Sequence, residues 1–363
     1  MFSKALLPAF AVLSVAAGKL SSTSSFYLVE QPQIQGIGMV IIGHEDGMES
    51  NGRLDGTRIG HCSRQDADHF LAPAQTSSIC SQATATINSQ ADATALASCS
   101  TISGSVLVSS SAAGDISIDG PQQIKGSLIC ENAGGLTSLS STSIGTITGD
   151  FTLTNLTLLS TLSMTDLVSV GTIGWTALPA LSQLTFPATV STATSVTISN
   201  TFLSTLDGIN LDTVETLQID NNNRLKTFST QVSNVTSSVN INANGDSLVV
   251  TFPNLIWAAN MTFRNVSSVS IPSLAVINGS LGFYGNYMTS ISAPNLTAVG
   301  DTATGSGSLA FVSNDKLANL TIPQLATVGG ALQIANNTGL SSISFPALTT
   351  VGGAIDFFGN FST

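Results

Sequence analysis

The sequence predicts an all-β protein built as a parallel β-solenoid of about twelve coils. A short pattern recurs twelve times at steps of 20 to 28 residues, and each copy carries an apolar pair with period two. Pro and Gly-Gly pairs occur at matching places between copies, where corners are expected. Of the 363 residues 42% are apolar and only 9% charged, so the chain has enough apolar material for one long core.

Residues 1–18 have the three parts of a secretory signal peptide. Lys4 supplies the positive charge, residues 5–17 the apolar stretch, and residues 15–18 a small-residue cleavage site. We therefore expect a secreted protein. In a secreted chain, nine Asn-x-Ser/Thr sequences become candidate N-glycosylation sites. They are Asn155, Asn234, Asn260, Asn265, Asn278, Asn295, Asn319, Asn336 and Asn360.

Residues 19–79 differ in composition from the rest of the chain and show no repeat, so we expect an atypical, disordered insert. The segment holds all three histidines of the chain. Its side chains of metal-ligating type are His44, His61, Cys62, Asp66 and His69. Because their spacings match no familiar zinc pattern, we expect neither a metal site nor a cofactor.

A short capping helix is predicted in front of the first coil. Ser89 is a suitable N-cap with Asp92 in the first turn, and the helix is expected to end near Ser98. Such a lid protects an otherwise exposed solenoid end. Cys80 and Cys99 bracket the helix, and an oxidising compartment permits the disulfide that we predict between them.

Nearly every predicted coil begins with a small residue, followed after one position by the apolar pair. A coil of this length is too short for a strand, a full helix and their loops, and it favours short strands joined by tight turns. Asn three residues before Leu, as in Asn222/Leu225, is expected to satisfy backbone groups at a corner. The single long step holds an extra loop, Asp301 to Ser306, which is expected to project sideways. The coils start at Gly104, Gly126, Gly149, Gly171, Thr194, Glu215, Ser237, Ala259, Gly279, Gly307, Gly330 and Gly353.

The charge and the apolar stretches of the chain each exclude one possibility. The formal net charge is −11 with only ten basic residues, which is the wrong sign for neutralising phosphates, so we expect no nucleic acid partner. No stretch approaches the roughly 20 apolar residues that a membrane-spanning helix needs.

Two resemblances extend this interpretation. The run from Cys99 to Gly104 resembles the start of a receptor L domain, the leucine-rich, right-handed solenoid module of insulin-type and EGF-type receptors. Residues 80–363 resemble more closely the fungal GPI-anchored cell-wall organisation proteins, which carry such repeats. The passages that carry this second resemblance are Cys80-Ser81-Gln82-Ala83-Thr84, Ile116-Ser117-Ile118-Asp119-Gly120-Pro121, Phe252-Pro253-Asn254-Leu255 and Leu281-Gly282-Phe283-Tyr284-Gly285-Asn286.

The resemblance implies a right-handed solenoid on the extracellular face of the plasma membrane and in the cell wall. It further implies glycosylation, a role in wall organisation and integrity, cell-wall polysaccharide or wall proteins as partners, and no known catalytic residues. Membrane contact is expected only through a GPI anchor. The family's Ser-rich stalk and apolar GPI signal do not follow the last strand, so we expect a C-terminally truncated solenoid whose final edge promotes self-association.

We expect no catalytic residues, because no histidine lies in the repeat region and no Gly-x-Ser-x-Gly occurs. Cys130 occupies an inward position and is expected to be an inert core residue. The enzymatic alternative is a polysaccharide-cleaving β-helix, which needs clustered carboxylates. The residues that favour it are Asp207, Asp212, Glu215 and Asp220, together with Arg224-Leu225-Lys226.

A carbohydrate- or ligand-binding role is the first alternative, and it ranks ahead of the enzymatic one. The residue between the members of each apolar pair points outward, which gives one column along the rod. This column is small or polar and uncharged through its middle, as at Thr197, Gln218 and Asn240. Such a face suits a carbohydrate or another ligand, whereas its simplest interpretation is a solvated sheet face.

Overall fold

The computed structural model describes residues 78–361, and these residues form a stack of coils whose paired strands run parallel. The predicted signal peptide and nearly all of the predicted insert lie outside this range. The described elements include one α-helix, Gln90–Ala95, and two 3-10 helices, Ser78–Ser81 and Leu96–Ser98.

The main face of the solenoid consists of thirteen strands, one at each level of the stack. Each pairs with the equivalent strand of the next coil, as in Phe283 with Phe311 and Ile334 with Phe357. The strands are Thr84–Ile87, Ser105–Val108, Leu128–Glu131, Thr146–Thr154, Ser169–Leu178, Ser195–Thr201, Ile209–Asp220, Asn234–Asn242, Met261–Arg264, Leu281–Tyr284, Leu309–Val312, Leu332–Ala335 and Ile355–Phe358.

A second face lies just before the main strand in each coil. In four coils one long strand covers both faces, and register shifts such as that between Val170 and Thr172 mark the change of direction. In the other coils the second face has its own short strand. These strands are Thr101–Ile102, Gln123–Ile124, Val190–Thr192, Trp257–Ala258, Val276–Ile277, Ala298–Val299, Thr327–Val328 and Thr350–Val351.

A third face closes each coil on the side opposite the entry to the main strand. Its strands form sheets of four, three and two members along the stack. The first sheet contains Ala113–Ser117, Gly135–Ser141, Thr161–Met164 and Leu184–Thr185. The second contains Thr227–Ser229, Val249–Thr251 and Ser268–Ser270, and the third Ser290–Ser292 and Asn319–Thr321.

The predicted fold class is confirmed: the chain is an all-β parallel solenoid of about twelve coils with one short helix near the start of the described residues. Every predicted coil start lies within a paired strand of the main face or one or two residues before it. One further level, Thr84–Ile87, was not predicted; it pairs in parallel with Ser105–Val108. Ala85 and Ile87 are its inward residues, 2% and 1% exposed.

The inward pairs form one continuous core through the stack. Phe263, Phe283 and Phe311 lie on successive levels with ring centroids 5.3 Å apart, and their planes are tilted by only 21° and 6°. Trp175 instead packs edge-on between Phe151 and Phe186, with centroids 5.6 and 5.8 Å away. Aromatic rings thus occupy several levels of one column, because each level repeats the packing position of the last.

One residue at the end of ten of the thirteen main strands adopts a left-handed backbone conformation. The φ angles at these positions fall between 52° and 59°, and six of the ten residues are Asn, which tolerates this conformation better than other non-glycine residues. They turn the chain from the main face toward the third face. The residues are Asn132, Asn155, Ala177, Asn200, Asn221, Ala243, Asn265, Gly285, Ser313 and Asn336.

The next residue in several coils is a buried Asn, and these residues form a ladder along the stack. The Nδ2 of Asn314 donates to the Phe283 carbonyl at 3.0 Å and to Oδ1 of Asn337 at 3.0 Å. Its Oδ1 accepts the backbone N–H of Asn286 at 3.0 Å. The predicted role of Asn at the corners is therefore seen here, although Asn244 and Asn286 also belong to the ladder and were not predicted.

Val266 divides the asparagine ladder into two segments. Thr201, Asn222 and Asn244 form one segment, in which Asn222 Nδ2 donates to Asn244 Oδ1 at 3.0 Å. Asn286, Asn314 and Asn337 form the other. Val266 is fully buried and has no polar side chain. It takes part in the ladder only through its backbone N–H, which donates to Asn286 Oδ1 at 3.0 Å.

Small residues begin the coils because the backbone of the preceding coil is very close. A Cβ atom added to Gly171 would lie 2.3 Å from the Thr148 carbonyl oxygen and 2.7 Å from that of Gly149. Similar clashes with backbone atoms would occur at Gly104 and Gly126. Glycine is thus favoured at these three positions, because atoms of the preceding coil occupy the place of a Cβ atom.

The long coil contains the predicted loop without any break in the main face. Asp301 and Ser306 form an isolated antiparallel bridge at its base. Leu281 still pairs with Leu309 and Phe283 with Phe311 across the insertion. The extra residues therefore leave the ladder at one corner and return to it in register.

The last described coil is paired on one side only. Ile355 and Phe357, the expected inward pair, are 59% and 42% exposed, and Phe358 is 67% exposed. Their register is the predicted one, since Leu332 pairs with Ile355 and Ile334 with Phe357. They are exposed because no further coil covers them within the described residues.

We predict that Gly171→Ala lowers the free energy of unfolding by about 2 kcal/mol, because the new methyl group meets backbone that cannot move aside cheaply. The matched control is Gly174→Ala in the same strand, where the added Cβ would meet only Thr152 Oγ1, at 3.8 Å. That variant is expected to stay within about 0.5 kcal/mol of wild type. Equilibrium denaturation measures both, and equal effects of the two substitutions would contradict the steric explanation.

We predict that Asn314→Ala lowers the free energy of unfolding by about 3 kcal/mol. The substitution leaves the Asn286 N–H and the Phe283 carbonyl buried without their partners, and each such group costs about 1–3 kcal/mol. The control is Asn223→Ala, an exposed position beside Asn222 in another corner of the stack, which should change stability by less than about 0.5 kcal/mol. A loss below about 1 kcal/mol for Asn314→Ala would show that the ladder is not a major source of stability.

Candidate functional site

The N-terminal end of the described solenoid carries the predicted cap. Cys80 and Cys99 form a disulfide with their Cα atoms 5.6 Å apart. Between them the α-helix Gln90–Ala95 continues into the 3-10 helix Leu96–Ser98, as the sequence predicted. The carboxylate of Asp92 accepts the Ser89 N–H at 3.0 Å and so caps the first turn. Ala93 and Leu96 are buried against the first coil.

The helix is fastened to the second coil through the segment around Asp119. Oε1 of Gln90 accepts the Ser117 N–H at 2.7 Å, and Gln90 Nε2 donates to the Ser117 carbonyl at 3.0 Å. Gly120 has a φ of +107°, and a Cβ there would lie 2.4 Å from the Ala97 carbonyl oxygen. This segment therefore serves to dock the cap closely.

Asp119 links the same segment to the next coil. Its carboxylate accepts the Ser117 hydroxyl at 2.6 Å, and the N–H and hydroxyl of Thr142 at 2.7 Å each. The hydrogen bond from Ser117 contributes most to lowering the pKa of Asp119 below its usual 3.8. Partial desolvation raises this pKa, and the two hydrogen bonds from Thr142 lower it further. The carboxylate is thus held ionised at neutral pH as a structural acceptor.

The free thiol of Cys130 lies in the core, as expected. Cys130 is fully buried on the main face, paired with Leu153 of the next coil. Burial, with a smaller contribution from the charge of Glu131, raises the pKa of the thiol to about 12. A thiol in this environment remains protonated and unreactive.

The four carboxylates of the enzymatic alternative occupy different places on the surface. Asp207 lines an open groove of about 310 Å³ beside the third face, whereas Glu215 lines another of about 290 Å³ on the second face. Asp220 lies on the main face and accepts Gln218 Nε2 at 2.6 Å and the Ser199 hydroxyl. Asp212 is exposed on its strand. Within residues 78–361, no three His, Cys, Asp or Glu side chains form a metal-binding group.

The basic residues beside these carboxylates are part of an ordinary coil. Leu225 is fully buried, as its position in the repeat predicts. The Arg224 guanidinium lies 4.2 Å from the centroid of Phe202, on the corner of the solenoid. Lys226 is exposed. The side chains of metal-ligating type in the expected insert lie outside the described residues. They are His44, His61, Cys62, Asp66 and His69.

All nine candidate glycosylation sites lie on the surface. Eight of the asparagines are exposed, and Asn265 is half-buried with its Nδ2 3.4 Å from the Tyr287 hydroxyl. Asn155, Asn265 and Asn336 occupy the left-handed corner position. Glycosylation at the nine sites stays a prediction.

Hydroxyl side chains occur both inside the stack and on its faces. Inside the stack, Ser105 Oγ accepts the Ser127 N–H at 3.0 Å, and Ser308 Oγ accepts the Ala331 N–H at 3.0 Å. One set of the exposed hydroxyl groups lies on four successive levels of the third face, on the strands Thr227–Ser229, Val249–Thr251, Ser268–Ser270 and Ser290–Ser292. We call the outward residues of these strands the hydroxyl face. They are Thr227, Ser229, Val249, Thr251, Ser268, Ser270, Ser290 and Ser292.

The hydroxyl face was not predicted from the sequence. None of its seven hydroxyl groups has a hydrogen-bond partner among the described residues. The inward residues between them, such as Phe228 and Val250, are buried and hold the strands flat on the core. A signal was present in the alternation of Ser or Thr with apolar residues in these four segments.

The comparisons with known proteins identify fungal cell-surface relatives. The chain is 45% identical over 243 residues to protein ecm33 of Aspergillus fumigatus, covering 67% of this chain and 59% of the relative. It is 43% identical over 241 residues to a cell surface GPI-anchored protein of Arthroderma benhamiae, covering 66% and 60%. It is 33% identical over 234 residues to the cell wall protein ecm33 of Schizosaccharomyces pombe, covering 64% and 56%.

The chain thus spans about three fifths of the length of the curated relatives that it matches. These relatives confirm the expected location at the extracellular face of the plasma membrane and in the cell wall. No family model matches the chain. No solved structure matches it either. In the described part of the chain, no helix has the length and apolar character that a membrane crossing requires.

We predict that the stability of the solenoid falls as the pH drops below about 4, in part through Asp119. Because its folded-state pKa is lowered, Asp119 stabilises the fold above its unfolded-state pKa and loses that contribution as pH falls through the folded value. Asp119→Asn should cost about 1 kcal/mol at pH 7 and reduce the acid-dependent loss. The control Asp246→Asn alters an exposed carboxylate and should retain the wild-type pH dependence. Thermal denaturation from pH 2 to 7 tests this, and an unchanged profile for Asp119→Asn would contradict it.

Proposed function

We propose that this chain is a glycosylated, non-enzymatic protein of the fungal cell surface that contributes to the organisation and integrity of the cell wall. The observation that carries the proposal is the combination of a regular, capped solenoid with relatives named as cell-wall and cell-surface proteins. A rod of stacked coils presents long faces at fixed spacing, which suits a structural or adhesive role.

The surface of the solenoid supports the same proposal. Nine candidate glycosylation sites are distributed over its outside, so a glycosylated form would carry its sugars away from the core. Cell-wall polysaccharide and wall proteins are the proposed partners. Membrane attachment is proposed to occur through a GPI anchor, as in the relatives that are named for one.

The arrangement of the carboxylates favours a non-enzymatic role over polysaccharide cleavage. Hydrolysis of a glycosidic bond needs two carboxyl groups on either side of the same bond, roughly 5–10 Å apart. Asp207 and Glu215 line different grooves, and Asp220 is held by hydrogen bonds on the main face. The polysaccharide-cleaving alternative therefore has no built acid and base to support it among these four residues.

The test is complementation of a deletion strain with the full chain. We expect wild-type protein to restore wall composition and resistance to wall-binding dyes. The variant Asp207→Asn/Asp212→Asn/Glu215→Gln/Asp220→Asn should restore both equally well, because the proposed role needs no carboxylate chemistry. Failure of the wild-type chain to restore either property would refute a role in wall organisation. Failure of the variant alone, with reducing-sugar release by wild type, would establish the enzymatic alternative.

A further inference from the structure

The corner that follows the strand Met261–Arg264 places one candidate glycosylation site against an aromatic side chain. Asn265 occupies the left-handed position there, with a φ of +56°, and it is half-buried, whereas the other eight candidate asparagines are exposed. Its Nδ2 atom lies 3.4 Å from the hydroxyl oxygen of Tyr287 in the next coil. Among the nine candidates, all of which lie in the described part of the chain, Asn265 alone has an Nδ2 atom that donates to an aromatic side chain.

Neighbouring residues fix the position of Tyr287 relative to Asn265. The Tyr287 N–H donates to the Val266 carbonyl at 2.9 Å, and the Val266 N–H donates to Asn286 Oδ1 at 3.0 Å. Met288, on the other side of Tyr287, is buried in the core. The tyrosine is therefore already held beside Asn265, and a contact with its ring needs little further ordering of the chain.

The ring of Tyr287 is only partly covered by protein. It is 38% exposed, although Lys316 Nζ lies 5.5 Å from its centroid. The nearby Tyr284 differs, because it is half-buried and the Arg264 guanidinium lies 4.4 Å from the centroid of its ring. Tyr287 thus carries the exposed aromatic surface beside Asn265.

Covalent geometry brings the first sugar of an N-linked glycan to this ring. The anomeric carbon of that sugar is bonded to Nδ2 at about 1.45 Å, the length of a single C–N bond, so the sugar begins within contact distance of the Tyr287 hydroxyl group. Attachment replaces one of the two hydrogens on Nδ2, and the other N–H can keep its bond to the tyrosine oxygen. The C–H groups on one face of a pyranose pack well on an aromatic ring, because the contact removes apolar surface of both from water.

We propose that the glycan attached to Asn265 packs on Tyr287 and stabilises this corner of the solenoid, so that the protein's own sugar covers the exposed ring. This inference rests on the proposed function, which includes glycosylation of the chain. The covalent link gives the sugar a high effective concentration at the ring, so a contact too weak to bind a free sugar is sufficient here. The contact distinguishes Asn265 from candidate sites whose glycans would project into solvent.

Asn155 provides the matched control. It occupies the same left-handed corner position, with a φ of +53°, but its Nδ2 donates to Asn132 Oδ1 at 2.8 Å and not to an aromatic side chain. Glycine adopts a positive φ without strain, so Asn265→Gly and Asn155→Gly each remove one glycosylation sequence and keep the backbone conformation. Tyr287→Ala removes the ring, whereas Tyr287→Phe keeps the ring and removes only the hydroxyl group.

The experiment measures the melting temperature of the full chain secreted by yeast, for wild type and for these variants alone and in combination. Glycopeptide mass spectrometry establishes whether Asn265 and Asn155 are occupied. We expect Tyr287→Ala to lower the melting temperature by at least about 2 °C more in the wild-type background than in the Asn265→Gly background, the shift expected for a contact comparable to an aromatic pair. The Asn155→Gly background should keep the full effect of Tyr287→Ala, and Tyr287→Phe should retain most of the wild-type stability.

Three results would each overturn the inference. They are an unoccupied Asn265, an equal effect of Tyr287→Ala in the wild-type and Asn265→Gly backgrounds, and a loss in Tyr287→Phe as large as that in Tyr287→Ala. Complementation of the deletion strain separates these results from the proposed function. If wild type restores the wall but the melting temperatures show no coupling, the wall role stands without this contact. If wild type does not restore the wall, the proposed function fails, and the coupling alone decides whether the glycan packs on Tyr287.

Discussion

The structure depends on the distance between successive coils, which parallel strand pairing fixes at about 4.8 Å. At this distance each residue of a coil meets its own equivalent in the next coil. Gly171 is needed because the carbonyl oxygen of Thr148 lies where a side chain would begin. Phe283 and Phe311 stack for the same reason. A buried Asn314 is tolerated because Asn286 and Asn337 lie one level away on either side and complete its hydrogen bonds.

Features that repeat in every coil could be predicted from the sequence. Features that depend on contacts with the next coil could not. Period-two pairs identified the inward residues of twelve levels, since strand geometry fixes the side to which each side chain points. Thr84–Ile87 was missed although Ala83 stands at the small-residue start, because the first member of its pair is Ala85, which is less apolar than the residues at that position in most other levels. Asn244 and Asn286 were missed because they are not followed by Leu at the expected spacing. Phe357 points inward as predicted, but its exposure depends on a neighbour and not on its own pattern.

The surface illustrates the same limit. Serine is equally polar at Ser105 and at Ser290. The hydroxyl group of Ser105 accepts a backbone N–H of the next coil, whereas the hydroxyl group of Ser290 has no hydrogen-bond partner in the described chain. Only the pairing register distinguishes them. The candidate carboxylates are close in sequence, and the coil distributes them to separate faces because about five residues suffice to pass from one face to the next. Closeness along a solenoid chain therefore says little about a shared site.

The loop at Asp301 shows that one coil of a solenoid can be longer than the others while its strands keep their register. The coil that carries it is longer than its neighbours, yet the strands before and after remain in register, closed by the bridge to Ser306. Each coil touches only the two beside it, so extra sequence at a corner costs the rest of the molecule nothing. Evolution can thus lengthen or diversify single corners independently. For the same reason, this corner is a natural position at which to graft a peptide tag or an antigenic epitope without disturbing the fold.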